Sequence, residues 1–424
     1  MSGSRVSRVS RVEVTPVAFR DPPLLNVVGV HQPFALRAVV QVHTDSGSVG
    51  LGETYADDTH LARLEAVASA LPGLDVYDLH ALRRTVIRVL GAETGGAGAS
   101  FGGMLDVSSA LETVMSPFEV ALLDLQGKEL GRPVSDLLGG RGRDEVPFSA
   151  YLFHKWAGHP GQESDDWGEA TTPDQLVAQA QRMVDDYGFT AIKLKGGVFE
   201  PAHEVETMRA LAEAFPHHKL RIDPNGAWTV PTSVRVAREL DGVLEYLEDP
   251  TPGIDGMAAV AQEVDVPLAT NMCVIAFEHL KPAVLADAVQ VVLSDHHLWG
   301  GLRQSALLGG IAQTFGMGLS MHSNSHLGIS LAAMVQLAAA TPNLTYACDT
   351  HYPWKTEDLV VPGTLEFKDG SVQVPDGPGL GVELDGDALG RLHEQYLRCG
   401  QRGREDTAYM RSVVPGFTPN TGRW

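Results

Sequence analysis

An α/β fold built on a closed barrel of parallel β/α units is predicted by three observations on this 424-residue sequence. From about Val146 short apolar segments alternate with helical patterns, and eight such strands follow one another. Before about Asp144 strands come first and helices after, which describes a separate α+β unit. After about Thr364 the rhythm breaks into a hairpin and a last helix. The implied division is 1–144 for the first part of an α+β capping domain, 145–360 for the barrel, and 361–424 for a segment returning to the cap.

In chain order, VEVTPVAF and ALRAVVQVHTDSGSVGLGE read as strands, the second a hairpin about Asp45, Ser46 and Gly47, because apolar residues alternate on either side of a turn cluster. Residues 113–130 place Phe118, Ala121, Leu122 and Leu125 at helical spacing, and Gly131 with Pro133 stops them. A helix over 173–187 has Thr172 as cap, Pro173 in its first turn, a stripe of Leu176, Ala180, Met183 and Val184, and Gly188 as its end. The eight strands are FSAYLF, TAIKLK, LRID, LEYLE, PLATN, VVLSD, GLSMH and LTYACDTH. TLEFKDGSVQV is a hairpin about Asp369 and Gly370 that has no place in a barrel's own sheet and is expected to rejoin the amino-terminal domain, and a helix follows near Leu392. The stretches 91–103 and 154–172 are long enough without pattern to be lids.

Composition narrows the function. Lys plus Arg number 32 against 53 Asp plus Glu, a net charge of −21, so nucleic acid and anionic membranes are poor partners. An acidic substrate then needs a local cluster of cations or a metal. Three cysteines, Cys273, Cys348 and Cys399, have no C-x-x-C spacing and suit a reducing cytoplasm. No secretory signal and no apolar run of membrane-spanning length is visible.

Barrel chemistry stands at the carboxyl ends of strands. The polar residues there are Tyr151, Lys193 with Lys195, Asp223, Glu248, Asn271, Asp295, His322 and His351. Asp223, Glu248 and Asn271 close three successive strands, 25 and 23 residues apart, and three hard oxygen donors without cysteine suit Mg²⁺. Asp223-Pro224-Asn225-Gly226 and Asp249-Pro250 are also good turn sequences that need no metal. Lys193 and Lys195 share one face of their strand, and two ammonium groups inside a barrel favour loss of a proton from one, which makes a base. Asp295 beside His322 would orient the imidazole and favour its protonated form. His322 and His326 stand four apart, but no third zinc ligand with its own signature accompanies them.

These residues resemble the enolase superfamily, and within it the glucarate dehydratases. The K-x-K of Lys193 and Lys195, DPNGAW from Asp223, EDP from Glu248, PLATNM around Asn271, Asp295 before HHLW, and HSNSH from His322 match in order over nearly the whole chain. The resemblance implies a modified (β/α)7β TIM-type barrel capped by a domain made from both chain ends. It implies Mg²⁺ on Asp223, Glu248 and Asn271, a Lys or His base working with that metal, and Lys195 and the His322/Asp295 pair on opposite faces of an acidic carbon with Lys193 beside the carboxylate. It further carries over His31, Tyr151, Asn225, Ser323, Asn324, His351 and Arg404 as substrate contacts, with Asn271 shared between metal and substrate. Residues 100–107 do not align cleanly, so fine substrate choice stays open.

The expected activity is a carbon–oxygen lyase: Mg²⁺-dependent dehydration of an aldarate, D-glucarate or L-idarate, to 5-dehydro-4-deoxy-D-glucarate. The expected partners are that small acid sugar and further copies of this chain. A dehydratase or epimerase acting on a different acid sugar, a catalytically silent sugar-acid binder and a zinc hydrolase are the alternatives. The hydrolase would want H-x-H after the first strand, where His154 stands alone.

Overall fold

The structure, a computed structural model, describes residues 7–91 and 110–424. Most of the 91–103 stretch, and the 100–107 positions, lie outside the described residues.

Seven parallel strands form the central sheet in chain order: Ser149–Phe153, Ala191–Lys195, Lys219–Asp223, Leu244–Glu248, Leu268–Thr270, Val291–Ser294 and Gly318–Met321. They are numbered here as the first to seventh barrel strands. The predicted eighth forms no ladder, yet it closes the ring. Asp349 N donates to Met321 O (2.9 Å), Cys348 N to Pro147 O (2.8 Å) and Ser149 N to Cys348 O (2.8 Å), so residues 345–349 bridge the seventh strand to the first. Thr345 N and Tyr346 N both donate to Leu319 O at 3.0 Å, a one-residue slip that a continuous ladder cannot hold. The helix Pro173–Tyr187 has the boundaries its caps predict: Thr172 and Gln175 form a reciprocal capping box, and Gly188 ends it at φ +73°.

The cap is a three-stranded antiparallel sheet, Val9–Arg20, Phe34–Thr44 and Val49–Tyr55, with helices Asp58–Ala70, Leu79–Leu90 and Ala110–Leu130. The last helix lies so close on the sheet that a Cβ at Gly50 would come within 2.1 Å of Ala121 O, and one at Gly52 within 2.0 Å of Pro117 O. Two buried cap carboxylates reach into the barrel. Glu53 accepts from Leu327 N and Ser330 N (2.8 Å each), and Glu119 from Leu302 N (2.8 Å) and Arg303 N (3.1 Å). They satisfy the open N–H groups of helices Gly328–Ala339 and Leu302–Thr314, whose N-termini lie at the mouth where strands end. The cap is thereby fixed over the barrel's mouth.

The tail hairpin does not join the cap sheet. Ser371–Gln373 pairs with Glu145–Pro147, at the entry to the first barrel strand, because Val372 faces Val146 there and Phe367 packs on Phe148. The chain reaches the cap only afterwards. Helix Gly386–Cys399 lies on Val9–Arg20, with His393 Nδ1 2.7 Å from Pro16 O and Gln395 Nε2 2.8 Å from Ala18 O. Residues 154–172 form a pinned loop rather than a free flap, since the Lys155 ammonium is buried inside it on Asp165 Oδ1 (3.0 Å) and Trp156 O (2.6 Å). No described helix is long and apolar enough to cross a membrane.

Candidate active site

The floor of the mouth is built by alternation along the second barrel strand. Ile192 and Leu194 turn to the helices, while Lys193 and Lys195 turn inward. Lys195 Nζ lies 2.7 Å from Asp223 Oδ2 and 2.7 Å from Asn225 Oδ1. Lys193 Nζ lies 2.7 Å from Asp349 Oδ2, 2.6 Å from Glu248 Oε2 and 3.8 Å from Asp223 Oδ2, under the ring of Tyr151 at 4.6 Å. The expected lowering of a lysine by its twin does not hold for Lys193. Burial works to lower it, but Asp349, Glu248 and Asp223 outweigh burial and raise it well above the ordinary value.

The same floor carries more negative charge than its lysines cancel. Asp223, Glu248, Asp249 and Asp349 are buried beside Lys193 and Lys195, and the nearby buried Arg221 is itself paired with Glu245 at 2.7 Å. Burial, with Asp223, Asp349 and Asp249 nearby, raises Glu248 well above a normal carboxyl, and burial with Asp223 pushes Asp249 up to about 7. Asp223 goes the other way, because Lys195 and Lys193 outweigh its burial. Glu248 Oε1 and Asn271 Oδ1 are buried with no hydrogen-bond partner, and Glu248 Oε2 meets the Lys193 ammonium off the direction of a hydrogen bond. Unpartnered buried oxygens beside an excess of carboxylates fit a hard divalent cation. A second grouping, Asp295, His296 and His297, brings three ligand-type atoms within 4.8 Å. It does not suit a cation, because Arg37 Nη2 lies 2.9 Å from His297 Nε2 and Asp295 Oδ1 already binds His297 Nδ1 at 2.7 Å.

One wall is His322 at the end of the seventh strand, its Nδ1 3.0 Å from Asp295 Oδ2. Burial alone would raise Asp295, but His297 and His322 hold it well below the carboxylate range. The opposite wall comes from the cap and the tail. His31 Nδ1 lies 3.1 Å from Asp21 Oδ2, and Arg404 Nε donates to Asp406 Oδ2 at 3.0 Å. Asp21 sits below its ordinary value because His31, Arg404 and His159 outweigh its burial. His351 is pushed well down by burial, then by His31 and His322, so it stands neutral.

These walls enclose a small cavity of about 30 Å³. Lys195, Asn225 and Tyr151 line it from the barrel, with His322, Ser323, Asn324 and His351 beyond them, and His31 and Arg404 from the cap side. Lys193, Asp223, Glu248 and Asn271 lie buried beneath, and Asp295 stands behind His322. Tyr151 OH reaches Asp223 Oδ2 at 3.4 Å. The expected residues therefore converge. Sequence reasoning missed Asn26 and Phe153 on the cavity wall, and Asp21, His297 and Asp349 behind it. Asp349 was findable: it precedes His351 by two, so both fall on one face of the closing segment.

A closed ring of β/α units whose mouth presents a lysine, an Asp-supported histidine and a buried carboxylate cluster defines a barrel site equipped for proton transfer. Residues 175–388 match the family model "Enolase C-terminal domain-like", and residues 10–139 match the mandelate racemase / muconate lactonizing enzyme N-terminal domain. The chain belongs to the enolase superfamily. A probable glucarate dehydratase of Streptomyces coelicolor is 51% identical over 98% of this chain and 99% of its own length. An enolase of Mycobacterium smegmatis solved with tartrate superposes with a TM-score of 0.95 at 64% identity, covering 100% of both chains. One of Thermobispora bispora, solved with magnesium and formate, gives 0.96 at 60% identity over 98% of this chain and 100% of that one.

Proposed function

We propose that the protein dehydrates an aldarate, D-glucarate or L-idarate, to 5-dehydro-4-deoxy-D-glucarate, with Mg²⁺ held by Asp223, Glu248 and Asn271. The observation that carries this reading is one cavity bordered by Lys195 on the second strand and His322 on the seventh, above buried carboxylates in excess of their lysines. The relatives agree in kind: one is named a probable glucarate dehydratase, and another was solved with tartrate, itself a hydroxylated dicarboxylate.

A proton beside a carboxylate is a very weak acid, so its removal at neutral pH needs the developing enediolate charge to be stabilised as it forms. Bound Mg²⁺ would supply Lewis-acid charge at that carboxylate. Lys193 would add an ammonium there, Lys195 would take the proton from carbon in one epimer, and His322 would take it from the opposite side in the other. His322, protonated and oriented by Asp295, would hand its proton to the neighbouring hydroxyl, which leaves as water while the C–O bond breaks. His31, His351 and Arg404 would receive the distal carboxylate, Arg404 as a planar donor. An amide at Asn271 in place of a third carboxylate makes the floor one charge less negative, which eases entry of a dianion into a chain of net charge −21. Three free thiols suit a reducing cytoplasm.

The test is incubation with a panel of aldarates, with and without Mg²⁺, followed by detection of α-keto acid. Keto acid from glucarate and idarate that requires the metal is the expected result. No product from any aldarate with metal present would overturn the reading.

A further inference from the structure

Behind the cavity a line of buried side chains runs from His322 into the cap. Asp295 accepts through Oδ2 from His322 Nδ1 at 3.0 Å, and through Oδ1 from the backbone N (2.9 Å) and Nδ1 (2.7 Å) of His297. His297 Nε2 then meets Arg37 Nη2 and Ser330 Oγ, each at 2.9 Å. Arg37 Nε donates to Glu53 Oε1 at 2.8 Å, and Glu53 is the residue that caps the helix Gly328–Ala339. Every member is buried. Arg37 and Glu53 belong to the cap sheet, whereas Asp295 and His297 follow the sixth barrel strand.

A guanidinium has only donors, so the 2.9 Å contact to Nε2 requires a lone pair on that nitrogen. The proton of His297 must then reside on Nδ1, where Asp295 accepts it, and the ring carries no charge. Asp295 faces two imidazoles, and only one of them can take its negative charge as a full partner. Were His297 to become an imidazolium, it would draw that charge and leave His322 a weaker hold on its proton. The groups facing His297 are Asp295 and His296 on its own segment, Arg37, Glu53 and Tyr55 from the cap sheet, His60 from the cap helix Asp58–Ala70, and His326 and Ser330 beyond the seventh strand. Burial and the neighbouring cations keep His60, His296 and His326 neutral, so Arg37 is the cation that decides the state of His297.

We propose that Arg37 is a positioning residue for His322: its donation to Nε2 of His297 locks that ring as the neutral Nδ1–H tautomer, which reserves the charge of Asp295 for His322. The cap thereby sets the protonation of the barrel's acid without touching substrate. This rests on reading His322 as the acid of the proposed reaction, but its test needs no substrate.

The experiment is nitrogen-15 NMR of histidine-labelled full-length protein, titrated from about pH 5 to about pH 9, the range where imidazoles change charge. In the unaltered protein His297 is expected to show Nδ1–H with a bare Nε2 throughout. A protonated Nε2 on His297, or titration of His297 in that range, would overturn the inference. The double variant Arg37→Met with Glu53→Gln removes both buried charges together, so neither is left alone. In it His297 is expected to begin titrating and the midpoint of His322 to fall by about one unit or more. If the variant is folded, His297 keeps its Nδ1–H form and the His322 midpoint is unmoved, the inference is wrong; if it does not fold, the unaltered protein's His297 tautomer decides. Failure of the aldarate assay would leave this result standing, and failure here would leave the dehydratase reading intact.

Discussion

Replacing Asp295 by Asn removes one charge and exchanges one acceptor for a donor at the point where two imidazoles meet. Both carboxylate oxygens are in use: Oδ2 at 3.0 Å from His322 Nδ1, and Oδ1 at 2.7 Å from His297 Nδ1. The amide nitrogen must then oppose a ring N–H on one side, and that ring changes tautomer or turns. A hydrogen bond to a charged group contributes about 1.5–3 kcal/mol. At about 1.4 kcal/mol per factor of ten, the loss corresponds to a fall in kcat of about 10- to 150-fold. KM should change little, because Asp295 stands behind His322 and not on the cavity wall. Initial rates of keto-acid formation across pH, with circular dichroism to establish folding, measure both quantities. A folded Asp295→Asn protein whose kcat stays within about twofold of the parent, with the same pH profile, would refute the role given to the pair.

Three further outcomes follow from other parts of the molecule. Burial pushes Glu119 up to about 7 from an ordinary 4.5, so the folded state binds more protons than the unfolded one between those values, and stability falls as pH rises from about 4.5 to about 7; Glu119→Gln should remove part of that slope, on the order of 3 kcal/mol, in denaturant titrations at several pH values. Gly52→Ala puts a methyl 2.0 Å from Pro117 O, a backbone atom that cannot swing aside, and should destabilise the protein by roughly 1–3 kcal/mol in urea unfolding. Mg²⁺ should stabilise the resting protein by relieving repulsion among Asp223, Glu248, Asp249 and Asp349, by about 2.7 kcal/mol at a hundredfold excess over Kd, seen as a higher melting temperature in scanning calorimetry, and Glu248→Gln should lose most of that gain.

The parts legible in the sequence were those where a local rule and the tertiary structure agree. The helix Pro173–Tyr187 announced itself through Thr172 and Gly188, and the inward lysines through the period of two along AIKLK. The ring of strand-end residues was readable because the barrel places such residues at its mouth whatever their chemistry. The eighth strand was over-read, since the slip at Leu319 depends on two neighbours far away in sequence. The tail hairpin was read correctly as a hairpin but assigned to the wrong sheet, because a turn sequence such as that around Asp369 and Gly370 fixes the turn and not its third strand. His297 passed unnoticed for a similar reason. Within HHLW nothing distinguishes the ring that binds Asp295 from its neighbour His296 until Arg37 arrives from 260 residues away.

The central claim is that Lys195 and His322 act on one substrate carbon from different sides of the cavity. It is tested most directly by incubating Lys195→Met and His322→Asn separately with D-glucarate and with L-idarate in D₂O and Mg²⁺, and following deuterium incorporation by NMR. Each variant should lose incorporation into one epimer and keep it for the other. Incorporation into both epimers at the parent rate in both variants would contradict the account.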